Sequence, residues 1–308
     1  MKRIRATMSQ SALAMSGCTL WTSLASRWYR DDLGDTTKRD RGTEFHTYPA
    51  QEIAGNPRPM PPNDREMVSM VSHASRWIRD SLTMAEWAMS EVAFGLNIIT
   101  GAGEVLITEN REYPDEPDMF FGTADVVAKV GPSTLLIADW KTGLGIGTEY
   151  QLLSLAAAAS RSCPWATEFR LVGLFVDPYG LDPKERVYSL EEVELYSAKL
   201  RRALSVITPA KPSSSCIRHY CPHLAFCPAT DDAIRGLLKE TMPAIKFTDT
   251  VTDAKQAAIQ VRAAQAAKRA AEHYLEAAKE FIRKGGRVLD GDSEWKQTSN
   301  GVRWEKVK

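Results

Sequence analysis

Two aspartates and a lysine carry the most chemistry in this sequence. The run from Phe121 to Asp125 and the run from Leu135 to Lys141 are separated by Gly131-Pro132-Ser133, which reads as the turn of an antiparallel hairpin. A turn centred near Pro132 sets Asp125 opposite Asp139. Side chains alternate along a strand, so Lys141 shares the face of Asp139, while Ala138 and Trp140 point the other way. Leu135, Leu136, Ile137 and Ala138 show no polar alternation, as expected of a central strand covered on both faces. Two carboxylates brought together with partial burial repel each other unless a divalent cation neutralises both. Oxygen ligands of this kind suit magnesium or manganese. Such a cation polarises a phosphate oxygen and acidifies a water for in-line attack, with Lys141 stabilising the added negative charge or orienting the water. That is phosphodiester hydrolysis. The spacing alone reads equally as a cross-strand ion pair between Asp125 and Lys141, with Asp139 closing the strand.

The elements that must position these residues follow from periodicity. A short helical pattern surrounds Leu20 to Ala25, with Trp28 and Tyr29, before a charged break from Asp31 to Arg41. The proline-rich stretch from Gly55 to Asp64 is a loop, with Asp64 placed to cap the next helix. That helix carries Met67, Val68, Met70, Val71, Ala74, Trp77 and Ile78 at helical spacing, and a second helical stretch is expected over Met84 to Met89. The period then shortens toward two, predicting strands over 92–98, 103–107, 123–130 and 134–140. Glu91, ahead of the first of these, either adds a carboxylate to the site or faces solvent, the commoner place for a glutamate. A helix over 150–161, a strand over 169–176 and a helix over 190–204 complete an α/β layer fold with a mixed sheet.

Gly122-x-x-Asp125 followed by Asp139-Trp-Lys141-Thr-Gly143 resembles the RecB-type branch of the PD-(D/E)XK nucleases, in which Gly-x-x-Asp precedes Asp-x-Lys-Thr-Gly. Phage and prophage exonuclease-like proteins and the nuclease domains of AddAB and CRISPR-adaptation proteins are similar. The likeness is loose over residues 10–230 and good over 121–151. It implies a restriction-endonuclease-like core and a metal-dependent deoxyribonuclease, expected to be an exonuclease in recombination, repair or DNA degradation. It also implies a Mg2+ or Mn2+ ion held by His46, Asp125, Asp139 and the main-chain carbonyl of Trp140. His46 enters through Gly42-x-x-x-His46, which resembles the branch's early helical Gly-x-x-x-His. Pro49 clashes with a helix that begins well before it, so His46 is expected in a first turn or in a distorted helix; a lone histidine there is more often structural. The branch's Gln-x-x-x-Tyr is matched at Gln151, which joins Asp125, Asp139 and Lys141 as a catalytic residue. Leu155 stands where the tyrosine is expected, and Tyr150 is merely adjacent.

Cys216-x4-Cys221-x5-Cys227, interleaved with His219 and His223, is a thiol cluster in a proline-punctuated loop. Related nucleases with an iron–sulfur cluster use one cysteine before the core and three after it, which makes Cys18 the distant fourth ligand. Four thiolates suit a 4Fe-4S cluster; three with a histidine suit structural zinc; a degenerate remnant with free thiols is the third reading. The first interval departs from Cys-x2-Cys, with Arg218 where a cysteine is expected. Cys163 reads as a core residue.

Of the 308 residues, 44% are hydrophobic and 25% charged, ordinary for a folded enzyme and contrary to disorder. With 39 basic and 39 acidic side chains the net charge is zero, so nothing in the overall balance advertises a polyanionic partner, and if nucleic acid binds it does so through a local basic cleft. The basic start and the run from Ala12 to Cys18 mimic an export signal, but Ser9, Gln10 and Ser11 leave it too short. No stretch is long enough to span a bilayer. A soluble protein of a reducing cytoplasm is expected, with DNA and a recombination or annealing protein as partners and no membrane. The nuclease domain is expected over 1–230, including the cysteine cluster, and a C-terminal extension over 231–308. That extension holds an alanine-rich helix over 253–284, stopped by Gly285-Gly286, and a small hairpin around Asn300-Gly301 between Trp295 and Trp304. The helix's cations are offset by Glu272, Glu276 and Glu280, so it reads as solvated rather than as a site. A non-catalytic binding module on a degenerate nuclease fold is the competing function.

Overall fold

A computed structural model describes residues 37–205 except 62, 107–112, 114–115, 117 and 143–147, together with Ile4–Arg5, Met15, Cys18, Lys279 and three C-terminal strands. The elements of the first unit, Met1–Pro209, are β1 (Ile4–Arg5), α1 (Thr37–Ile53), α2 (Arg65–Leu82), β2 (Trp87–Asn97), β3 (Gly103–Leu106), β4 (Met119–Lys129), β5 (Thr134–Thr142), α3 (Glu149–Ser162), β6 (Glu168–Asp177), β7 (Gly180–Ser189) and α4 (Leu190–Ser205). The second unit, Ala210–Lys308, contributes β8 (Val288–Asp290), β9 (Ser293–Thr298) and β10 (Gly301–Lys306).

The first unit is built on a sheet ordered β3-β2-β4-β5-β6-β7, with β1 paired to β4 beside it. β5 runs parallel to β6, β1 runs parallel to β4, and the other neighbours are antiparallel, so the sheet is mixed. α1 and α2 pack on one face. Phe45 and Tyr48 of α1 and Met67, Met70, Val71, Ala74 and Ile78 of α2 meet Val126, Ala128, Leu136, Ala138, Trp140, Val172, Leu174 and Val176. Met67, Met70, Val71, Ala74 and Ile78 lie on the apolar stripe that helical spacing predicts, with Trp77 partly buried beside them. Asp64 caps α2 as expected, its Oδ1 accepting from the Met67 N–H at 2.9 Å, and also takes a bond from Arg41 of α1 at 3.0 Å.

The opposite face carries α3, whose residues 151–160 are all buried. The small side chains from Ala156 to Ala159 let this helix lie close to the sheet and to α4. Two glycines make that approach possible. A Cβ on Gly103 would lie 2.6 Å from the Ala158 carbonyl oxygen, and one on Gly173 would lie 2.4 Å from Thr148 Oγ1.

Five expectations are corrected here. Met84–Met89 is not helical: β2 begins at Trp87 and pairs there with Lys129. Glu91 lies inside that strand rather than ahead of it. His46 is not in a first turn, because α1 begins at Thr37 and runs through Pro49; Pro49 is buried, and packing outweighs the hydrogen bond it cannot donate. β7 was not expected as a strand. The C-terminal hairpin exists and pairs Trp295 with Trp304, but its register joins Thr298 to Gly301, one residue earlier than a turn on Asn300-Gly301 requires. β8 adds a third strand beside β9. The patterns over 20–29, the linker over 209–215, the cysteine cluster and the helix over 253–284 lie outside the described residues. Among the described residues no helix is long and apolar enough to cross a membrane.

Candidate metal centre

β4 and β5 stay paired from Lys129–Leu135 up to Val126–Ala138, the register that a turn near Pro132 predicts, and the ladder ends there. Asp125 and Asp139 are the next residues on each strand. In place of a ladder bond, the Trp140 N–H donates to Asp125 Oδ2 at 2.7 Å. Farther along β4, Phe120 and Phe121 pair with β1. The site therefore sits where two central strands part, and a carboxylate rather than a carbonyl takes the backbone N–H that the gap releases.

Both aspartates are buried, Asp125 at 4% and Asp139 at 3% exposure. His46 Nδ1 lies 3.3 Å from Asp125 Oδ1. α1 reaches this point because Phe45, the preceding residue, is anchored in the core edge-to-face against Trp140 at 5.9 Å. Gly42 brings the same helix against the end of β5, where a Cβ would meet Thr142 Oγ1 at 3.0 Å. Asp139 Oδ1 accepts from Gln151 Nε2 at 2.9 Å, and its Oδ2 pairs with the partly exposed Lys141 ammonium. Burial pushes the Asp139 carboxyl up to about 6; Lys141 pulls against that rise and the Asp125 charge adds to it.

Glu91 completes the cluster. Ser90 pairs with Val126 and Val92 with Ala124, so Glu91 is level with Asp125 across β2 and β4, yet its backbone leaves the ladder with φ of 54°. A non-glycine residue in this region is strained by about 1–3 kcal/mol, and such strain gathers at functional positions. One ligand atom from each of His46, Glu91 and Asp125 falls within 4.8 Å of the others. An imidazole and two carboxylates converging in this way could hold a metal ion. A cation here would also balance the carboxylate charge that burial disfavours.

Gln151 is held by its helix. Thr148 sits against Gly173, the Arg186 guanidinium and the Tyr188 hydroxyl both donate to Glu149 Oε1 at 2.7 Å, and the Tyr196 hydroxyl donates to the Tyr150 carbonyl at 3.0 Å. Burial raises the Tyr196 phenol well above its ordinary range, keeping it a donor. Tyr150 stacks on Tyr196, and Leu155, where a tyrosine was expected, is fully buried. The indole of Trp140 faces away from the site, edge-to-face with Phe45 and with Trp77 at 5.5 Å. Its backbone is held by Asp125 between the two functional side chains of β5.

The structure thus gathers His46, Asp125, Asp139, Lys141 and Gln151 with the backbone of Trp140, and adds Glu91. Glu91 was weighed only as the lesser of two readings, since its approach depends on the β2–β4 register and a positive φ. Cys18 is buried and free, while Cys216, Cys221 and Cys227 lie outside the described residues.

No family model and no curated protein matches this chain. One solved structure, SSO0001, aligns over 71% of this chain and 95% of its own length, at 16% identity and a TM-score of 0.30.

Proposed function

We propose that the chain is a Mg2+- or Mn2+-dependent deoxyribonuclease with a restriction-endonuclease-like core of the RecB type. The observation that carries this reading is the meeting of two buried aspartates, a lysine, a histidine and a strained glutamate where β4 and β5 separate. Lys141 pairs with Asp139 rather than with Asp125, which has His46 beside it, and ion pairing of this kind leaves the left-handed Glu91 at the same cluster unaccounted for.

In this reading His46, Glu91, Asp125, Asp139 and the Trp140 carbonyl hold the cation. When bound, it supplies Lewis-acid polarisation of the scissile phosphate and lowers the pKa of the attacking water. Lys141 places its ammonium beside the reacting phosphate and offsets the charge that builds as the phosphorus becomes five-coordinate. Gln151 keeps Asp139 in one rotamer through its amide N–H and so sets the direction of the ligand oxygens. His46, close to Asp125, orients that carboxylate and contributes the softer donor. Action on DNA ends, in recombination, repair or degradation, extends the same proposal.

The test is digestion of end-labelled linear and closed circular DNA with Mg2+ or Mn2+, comparing wild type with Lys141→Ala. Cleavage by the wild type alone is expected, and sparing of the circles identifies end-dependent action. Equal products from both proteins, or none from either, reject the nuclease; in the second case retained DNA binding would point to a non-catalytic binding module.

A further inference from the structure

A second feature shares the sheet face of the metal centre. The β5–β6 register sets Asp139 beside Gly173 and Lys141 beside Phe175, and the β6–β7 register carries the same rows on to Lys184 and Asp182. Over these rows, between the first turn of α3 and the β6–β7 hairpin, lies a groove of about 840 Å³. That volume lies within the range of small-molecule sites, roughly 300–1,000 Å³. Leu152 and Leu171 contribute buried apolar surface and Phe175 a half-buried ring, while Tyr179 at the hairpin tip is 93% exposed.

The charges along the groove satisfy one another. Lys184 Nζ is 2.8 Å from Asp182, Arg186 is 2.7 Å from Glu149, and Glu185 is bonded twice to Arg170, at 2.7 and 2.8 Å. Asp177 accepts the N–H groups of Tyr179 and Gly180 at 2.7 and 2.9 Å. Such a groove offers no surplus cation to a phosphate. It offers an apolar floor, the aromatic rings of Phe175, Tyr179 and Tyr188, and paired polar groups, which suit a flat, uncharged, hydrogen-bonding ring system.

We infer that this groove binds one unpaired nucleobase of the strand whose phosphate lies at Lys141, with Phe175 and Tyr179 supplying the stacking surfaces. The inference rests on the nuclease reading, since only a phosphate at the adjacent metal centre brings a base to Phe175. It also assigns a division of labour: the charged centre holds the backbone, and the groove holds the base that the backbone carries past it. A base inside a duplex cannot enter, so the nucleotide at this position must leave its stack.

The experiment uses the full chain with Lys141→Ala, which keeps the groove and removes cleavage. Single-stranded oligodeoxynucleotides carrying 2-aminopurine at successive positions are titrated in Mn2+. Quenching confined to one position is expected, with little at the same position in a duplex. Tyr179→Ala, a surface change that leaves the core intact, and Phe175→Ala should each abolish that quenching and weaken binding roughly 5- to 150-fold, the range for loss of one base–aromatic stack. Tight binding with unchanged affinity and fluorescence in both variants overturns the groove assignment and leaves the nuclease reading standing. Failure of every oligonucleotide to bind overturns the groove assignment, while the cleavage assay on the wild type decides the nuclease reading by itself.

Discussion

β5 and β7 flank the same strand, β6, and their charged residues behave in opposite ways. β5 is buried from Leu135 to Trp140 and presents Asp139 and Lys141 at its end, where the aspartate is almost wholly removed from water. β7 is an edge strand with six consecutive exposed residues, and its Asp182, Lys184, Glu185 and Arg186 pair with neighbours in solvent. The same residue types therefore cost little on β7, where water screens them, and a good deal on β5. A charge kept where burial penalises it calls for a ligand or a reaction; a charge on an edge strand is explained by solubility and by blocking unwanted strand pairing.

Substitutions can sharpen or break that contrast. Lys141→Ala and Asp139→Asn should each lower DNA cleavage by roughly 10³-fold or more, the scale of losing a charge-stabilising group in a water-poor site, whereas Val187→Ala on β7 should leave the rate within about twofold. Single-turnover rates measure both, and a β7 effect as large as the β5 effect would erase the distinction. Trp140→Ala removes the ring that pins β5 against Phe45 and Trp77, so chemical denaturation should reveal a loss of about 3–5 kcal/mol.

The third prediction concerns pH. Asp139 titrates near 6 in the folded protein against 3.8 for the free side chain. Folding therefore takes up a proton between those values, and the stability of the cation-free protein should fall as pH rises through the window, by on the order of 2–3 kcal/mol. A divalent cation favours the ionised form, so thermal stabilisation by Mn2+ should be large at pH 8 and nearly lost at pH 5. Melting curves that show equal stabilisation at both values would remove Asp139 from the ligand set. The smallest effect is expected on β7: a double-mutant cycle on Arg170 and Glu185, both partly exposed, should return less than about 1 kcal/mol of coupling despite the two hydrogen bonds.

The same contrast explains how much could be read in advance. β5 was legible because four apolar residues in a row leave few alternatives to a buried strand, and Gly131-Pro132-Ser133 set a register that the ladder reproduces. The placing of Asp125, Asp139 and Lys141 on one face followed from it, whereas Gln151 came only from the resemblance to a Gln-x-x-x-Tyr pattern. β7 was illegible because Pro183 and a run of charges are what a strand predictor excludes, yet both are tolerated at a sheet edge. α1 was misjudged at Pro49, where core packing by Phe45 and Tyr48 outweighs a lost backbone bond. Met84–Met89 failed similarly, its residues from Trp87 onward being captured by the open edge of β4.

Glu91 has a consequence for how this protein can be improved or can drift. Its φ of 54° is one that glycine adopts freely. Glu91→Gly should thus relieve backbone strain while deleting a carboxylate from the proposed ligand set, and a laboratory selection on heat resistance alone would favour it. On the nuclease reading the residue marks a trade-off written into the main chain: the protein is held below its attainable stability at a position where a carboxylate would face the cation.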